Sequence, residues 1–97
     1  MTDTNCWIIY LIRTKNDALY CGITTDLTRR VSQHKEGKGA KALRGKGPLA
    51  LVWSYRSGSS RSHAQKIEYA IKKLTKKQKE HLINEPHLIN ELVSFLK

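Results

Sequence analysis

Acidic residues are scarce in this chain: 8 Asp plus Glu stand against 18 Lys plus Arg in 97 residues, a formal net charge of +10. A surface so short of negative charge favours a polyanionic partner, nucleic acid above all, with a merely solubilising charge as the bland alternative. Cysteine is nearly absent. Cys6 and Cys21 are too few for a disulfide framework or a thiolate metal site. No apolar run approaches the length of a membrane span, and Met1–Asn5 lacks the basic start and apolar centre of a secretion signal. These absences set the expectation of a cytoplasmic protein with reduced thiols and no membrane partner. Ninety-seven residues suit one domain, 1–97, whose core buries about 60–65% of the unfolded surface.

What is present starts with two short runs, Trp7-Ile8-Ile9-Tyr10-Leu11-Ile12-Arg13 and Leu19-Tyr20-Cys21-Gly22-Ile23. Both are rich in β-branched and aromatic residues, which is strand chemistry, and Thr14-Lys15-Asn16-Asp17 between them is turn chemistry. The first run is apolar on both faces and is therefore expected at the centre of a sheet. A Lys15-Asn16-Asp17 loop sets Ile12 opposite Tyr20 and Tyr10 opposite Gly22, so the two tyrosines share a face. Gly22, without a side chain, is expected to leave room beside Tyr10 for a ligand or a close backbone approach.

Asp26 is the expected N-cap of a helix that follows directly. Leu27, Arg30, Val31 and His34 then fall on one helical face, while Arg29 is rotated about 100° away. Arg30 on an apolar stripe either snorkels to water from its edge or has an inward partner; spacing alone leaves both open. From Lys35 to Pro48, four glycines alternate with basic residues, and only Ala40–Arg44 has the pattern of a helical turn. No phosphate-loop signature is present. Lys35, Lys38, Lys41, Arg44 and Lys46 are candidates for gripping a phosphate backbone from a mobile loop, with a solvated linker as the alternative.

A third strand is expected over Leu49–Tyr55, a turn at Ser57–Ser60, and a helix capped by one of the serines up to Ser62. Ala64, Ile67, Ile71 and Leu74 mark that helix's core face, and Glu68 lies on it too. By spacing, Glu68 pairs with Lys72 four residues on or serves a separate purpose. Thr75-Lys76-Lys77-Gln78 reads as a capping box opening another helix. The lysines from Lys72 to Lys79 form a second basic cluster, read as a solvated face. Pro86 is expected to open a short C-terminal helix whose Leu88, Leu92, Val93 and Phe95 pack on the body or on a partner.

Tyr10, Tyr20-Cys21-Gly22 and Arg30 eight residues after that glycine resemble the GIY-YIG nuclease superfamily, and its small stand-alone bacterial members in particular. The likeness covers about residues 7–75, with further helices over 75–97. Ile8-Ile9-Tyr10 lacks the first glycine of the signature, and Cys21 replaces an isoleucine. The resemblance implies an α/β (α+β) fold, a small three-stranded antiparallel sheet flanked by helices. It also implies a divalent-metal-dependent endonuclease acting on DNA, including branched or damaged DNA in repair. Glu68 would be the metal ligand, for Mg²⁺ or Mn²⁺ as substitute. Tyr10, Tyr20, Arg30 and His34 would be catalytic and Gly22 structural at the site, all in one cleft with Glu68.

Within that implied site, Arg30 holds phosphate oxygens and a tyrosine takes the proton of the attacking water. A tyrosine's ordinary pKa near 10 has to be lowered by Arg30, lysines or the cation for that task. His34 is the rival base, or else a cation near a helix C-terminus. A late asparagine, Asn84 or Asn90, is available to join the site. Two alternatives stay in view: a nucleic-acid-binding module without chemistry, and a subunit docking a partner, or itself, through the C-terminal apolar segment.

Overall fold

The computed structural model describes residues 6–96; the expectation drawn from Met1–Asn5 lies outside them. Three antiparallel strands, β1 (Trp7–Arg13), β2 (Leu19–Thr24) and β3 (Ala50–Gly58), form a sheet in the order β2-β1-β3. The doubly apolar β1 is central, as its sequence demands: Ile8 through Ile12 are all buried. Helices α1 (Leu27–Lys35), α2 (Arg61–Lys72), α3 (Lys76–Asn84) and α4 (Ile89–Phe95) complete the fold. It is an α+β architecture.

Period-two alternation along β1 splits the interior into two clusters. Ile9, Leu11, Cys21 and Trp53 pack with Ala64, Ile67 and Ile71 of α2, Leu82 of α3 and Ile89 of α4. Tyr10 and Ile12 point the other way, where Tyr20, Leu27, Val31, Leu43 and Leu49 meet them. The caps follow the sequence. Asp26, Ser60 and Thr75 each accept a first-turn amide, and Thr75 with Gln78 closes a full capping box.

One expectation is corrected and another narrowed. The third strand runs to Gly58, beyond the predicted end at Tyr55, because Arg56 and Gly58 pair with Ile8 and Trp7 and Ser57 Oγ donates to the Trp7 carbonyl at 3.1 Å. Serine and glycine read as a turn, yet register with β1 holds them in the ladder. At the C-terminus, Leu88, Leu92 and Val93 pack on the body around buried Ile89, whereas Phe95 is 88% exposed and, of its two expected placements, does not take the one on the body. None of the described helices is long and apolar enough to cross a membrane.

Candidate active site

The hairpin places the tyrosines. Thr14 N–H donates to Ala18 O at 2.9 Å and Asp17 adopts φ 65°, so the loop is Lys15-Asn16-Asp17. Tyr10 pairs with Gly22 and Ile12 with Tyr20, and the two tyrosine rings sit 6.4 Å apart on one face. The room expected beside Gly22 is already filled. A Cβ there would fall 2.6 Å from Tyr10 Cζ, so the glycine admits the tyrosine ring itself, not a ligand.

Helix α1 brings the polar groups. Leu27 and Val31 pack on the tyrosine side of the sheet, and one turn on, His34 is only 2% exposed. Its ring centroid lies 5.8 Å from that of Tyr10 and 5.6 Å from that of Tyr20. Tyr10 Oη and His34 Nε2 are hydrogen-bonded at 2.8 Å. Arg30, on the same face, is half-buried with Nη1 donating to Gln33 Oε1 at 3.1 Å, while Arg29 is exposed. Arg30 thus sits at the edge of the stripe, its guanidinium near enough to act on the Tyr10 hydroxyl.

Charge states follow from this packing. Burial pushes the Tyr10 hydroxyl up to about 12, although the Arg30 guanidinium beside it pulls the other way. Arg30 by itself therefore does not bring Tyr10 into the range a base needs: burial outweighs it, and in this packing the hydroxyl keeps its proton. His34 is pushed down, first by burial and then by Arg30. Both causes oppose the charged, helix-terminal form that its position suggested.

The basic loop is tied to the body of the domain at three points. Leu43, in a 3-10 turn over Lys41–Leu43, is 3% exposed; Lys15 N–H donates to Lys46 O at 2.9 Å; and Ala40 N–H reaches His34 Nδ1 at 3.2 Å. Lys35, Lys38, Lys41, Arg44 and Lys46 nevertheless all keep exposed side chains. Beneath them a hollow of about 360 Å³ is lined by His34, Lys35, Leu43, Pro48 and Leu49 among others. A larger hollow of about 760 Å³ lies along α3 and α4, lined by Leu74, Leu82, Leu88 and Leu92 and taking in exposed Asn84, with no tyrosine in its wall. Asn90 is exposed on α4.

Glu68 is bonded within its own helix, with no hydrogen bond or ion pair to Tyr10, Tyr20, Arg30 or His34. It stands on α2, which covers the other face of the sheet, and its Oε2 lies 3.2 Å from Lys72 Nζ. Its charge is felt by Cys21 on that same face: burial, with Glu68 adding to it, pushes the thiol up to about 12. Among the described residues no three His, Cys, Asp or Glu side chains converge as a metal cage. One carboxylate, its side chain 20% exposed, suits a hard cation that keeps most of its waters, and only once Lys72 is displaced.

The GIY-YIG catalytic domain profile matches residues 6–81. The chain belongs to that family. Among GIY-YIG relatives, a UPF0213 protein of Vibrio cholerae is 61% identical over 77 residues, 79% of this chain and 76% of its own. The UPF0213 protein YhbQ of Salmonella typhimurium is 56% identical over 91 residues, 94% and 90% of the two chains. Two solution structures share the fold. A protein from E. faecalis superposes with a TM-score of 0.60 at 34% identity over 91% of this chain and 93% of that one. The UPF0213 protein BH0048 from Bacillus halodurans gives 0.53 at 35% over 88% and 93%.

Two features escaped sequence reasoning. Arg13 bonds both carboxylate oxygens of Glu80 at 2.6 and 2.8 Å and also Asp17, while Lys76 bridges Asp17 and Glu80. This network ties the hairpin tip to α3 across 67 residues of sequence, a span that no local pattern encodes. The second feature is the Gly39–Ala40 contact with His34. Its signal was the glycine pair around Lys38, read only as loop flexibility.

Proposed function

We propose that this domain is a divalent-metal-dependent endonuclease acting on DNA, with branched or damaged DNA as the substrate class to test first. The observation that carries the reading is the cluster of Tyr10, Tyr20, Arg30 and His34 on one sheet face, beside a rim of five exposed basic side chains. Phosphodiester hydrolysis needs positive charge where the phosphate becomes more anionic and a donor for the departing oxygen. Arg30 supplies the charge. Its planar guanidinium can exchange Gln33 for two phosphate oxygens. Tyr10, a neutral phenol in this packing, is a hydrogen-bond partner for the substrate.

Glu68 would hold Mg²⁺, or Mn²⁺ in its place, which when bound stabilises negative charge on oxygen. The other residues bind, orient and desolvate around the phosphate. The test is a panel of labelled branched, flap and linear substrates with and without Mg²⁺, run on the wild type and on Glu68→Ala. Cation-dependent cleavage by the wild type, abolished by Glu68→Ala with binding unchanged or slightly tighter, supports the reading. Normal cleavage by Glu68→Ala reduces Glu68 to the partner of Lys72. The second reading, a binding module without chemistry, is favoured by one observation: the Glu68 carboxylate is already engaged by Lys72. Salt-dependent binding with no cleavage under any cation is its signature.

A further inference from the structure

The hydrogen-bond partners of His34 fix where its proton sits. A neutral imidazole carries one N–H, and its other nitrogen can only accept. His34 Nδ1 faces the backbone nitrogen of Ala40 at 3.2 Å, and a backbone amide can only donate. Nδ1 is therefore the acceptor, and the ring hydrogen lies on Nε2, 2.8 Å from Tyr10 Oη. The doubly protonated ring cannot accept from Ala40, and both burial and Arg30 oppose it. Gly39 makes the approach possible. Its Cβ, if present, would lie 2.8 Å from His34 Cε1 and 3.0 Å from Cγ, inside the ring's contact surface.

We propose that Gly39 and Ala40 are positioning residues for Tyr10, acting through His34: they lock the imidazole in its Nε2–H form, so that His34 donates a hydrogen bond to the tyrosine oxygen and does not withdraw its proton. Tyr10 then keeps its own hydroxyl hydrogen to offer the substrate. The lock is a property of the fold, whereas its catalytic consequence rests on the nuclease reading above.

Nitrogen-15 NMR of the labelled full chain near neutral pH decides the tautomer, because protonated and bare imidazole nitrogens resonate far apart. His34 is assigned by its absence from His34→Gln. The expected pattern is a protonated Nε2 and a bare Nδ1; a bare Nε2, or both nitrogens protonated, overturns the proposal. Ala40→Pro then tests the lock. Proline matches the Ala40 φ of −63° and removes the amide hydrogen, its ring taking that hydrogen's place. With the fold checked by circular dichroism, the His34 pattern should shift toward mixed tautomers, and an unchanged pattern overturns the role of Ala40. If that variant does not fold, the wild-type spectrum still decides the tautomer.

Cleavage separates donor from base. The amide of His34→Gln can still donate to Tyr10, so it should retain activity within about tenfold of wild type, while His34→Ala loses roughly 10²-fold. Equal losses in both would mean that His34 works as a base. Absence of wild-type cleavage would remove the nuclease reading and leave the spectroscopic result standing.

Discussion

On the α2 side of β1, Ile9 and Leu11 meet Ala64, Ile67 and Ile71, none with any exposed surface. On the α1 side, one residue along the same strand, Tyr10 meets His34 and Arg30. The first face is ordinary apolar packing, in which every buried group gains from leaving water. The second buries a phenol and an imidazole, which cost free energy unless each polar atom finds a partner. They do find partners, in each other and in the Ala40 amide. The contrast separates what holds the domain together from what it holds in place. A leucine at position 34 would leave both the Tyr10 hydroxyl and the Ala40 amide without this partner, a cost that no substitution on the α2 face carries.

The contrast breaks first, and most heavily, on the apolar side. Ile67→Ala removes a side chain with no exposed surface from the middle of the larger cluster. It should cost about 2–5 kcal/mol of stability. At about 4–8 °C per kcal/mol for a domain of this size, thermal unfolding should show a drop of about 8 °C or more. Cleavage per folded molecule, measured well below the transition, should stay close to wild type. A large loss of catalysis without a loss of stability would show that α2 acts on the site and that the two faces are coupled.

The next largest effect is the reverse, activity lost with the fold kept. Arg30 and Arg29 are adjacent, have the same chemistry and differ in direction: one half-buried beside Tyr10, one exposed. Arg30→Ala should slow cleavage by roughly 10²-fold or more. Arg29→Ala should cost only the affinity of one peripheral cation, and Arg30→Lys should recover little, since an ammonium lacks the two-pronged grip on phosphate. Matched circular dichroism checks that both alanine variants fold. Equal kinetic losses would mean that α1 offers general positive charge and no directed arginine.

These two faces were legible in the sequence to different depths. Alternation along β1 and the spacing of Ala64, Ile67 and Ile71 encode the apolar face directly, because burial follows period two in strands and 3.6 in helices. On the polar face, spacing brought Arg30 and His34 to the right side of α1, and the hairpin register aligned Tyr10 with Tyr20. It could not say that Tyr10's own ring fills the space at Gly22, nor that desolvation outweighs Arg30. Both depend on three-dimensional packing that one strand's pattern does not carry. Glu68 shows the same limit. An ionisable residue on an apolar stripe looked alike in both helices, yet Arg30 lies beside Tyr10 while Glu68 pairs with Lys72 one turn along its own helix.

The smallest effect belongs to the half-buried network that ties the hairpin tip to α3, and it sharpens the contrast by adding charge outside both clusters. Arg13, first, and Lys76 hold the Glu80 carboxyl well below its usual 4.5, at about 2, and the same two cations hold Asp17 low. A carboxylate whose folded pKa is depressed contributes stability above its unfolded value and loses it as pH falls through the folded one. The network's contribution should therefore be complete above about pH 4.5 and fade toward pH 2. Thermal melts of wild type and Glu80→Gln across that range should converge as the pH drops, with the wild type ahead only at the upper end. High salt should narrow the gap at neutral pH, because solvent-facing pairs are screened. A gap that persists at pH 2, or that ignores salt, would assign the role of Glu80 to the packing of its stem against α3's neighbours and remove electrostatics from the account of the hairpin tip.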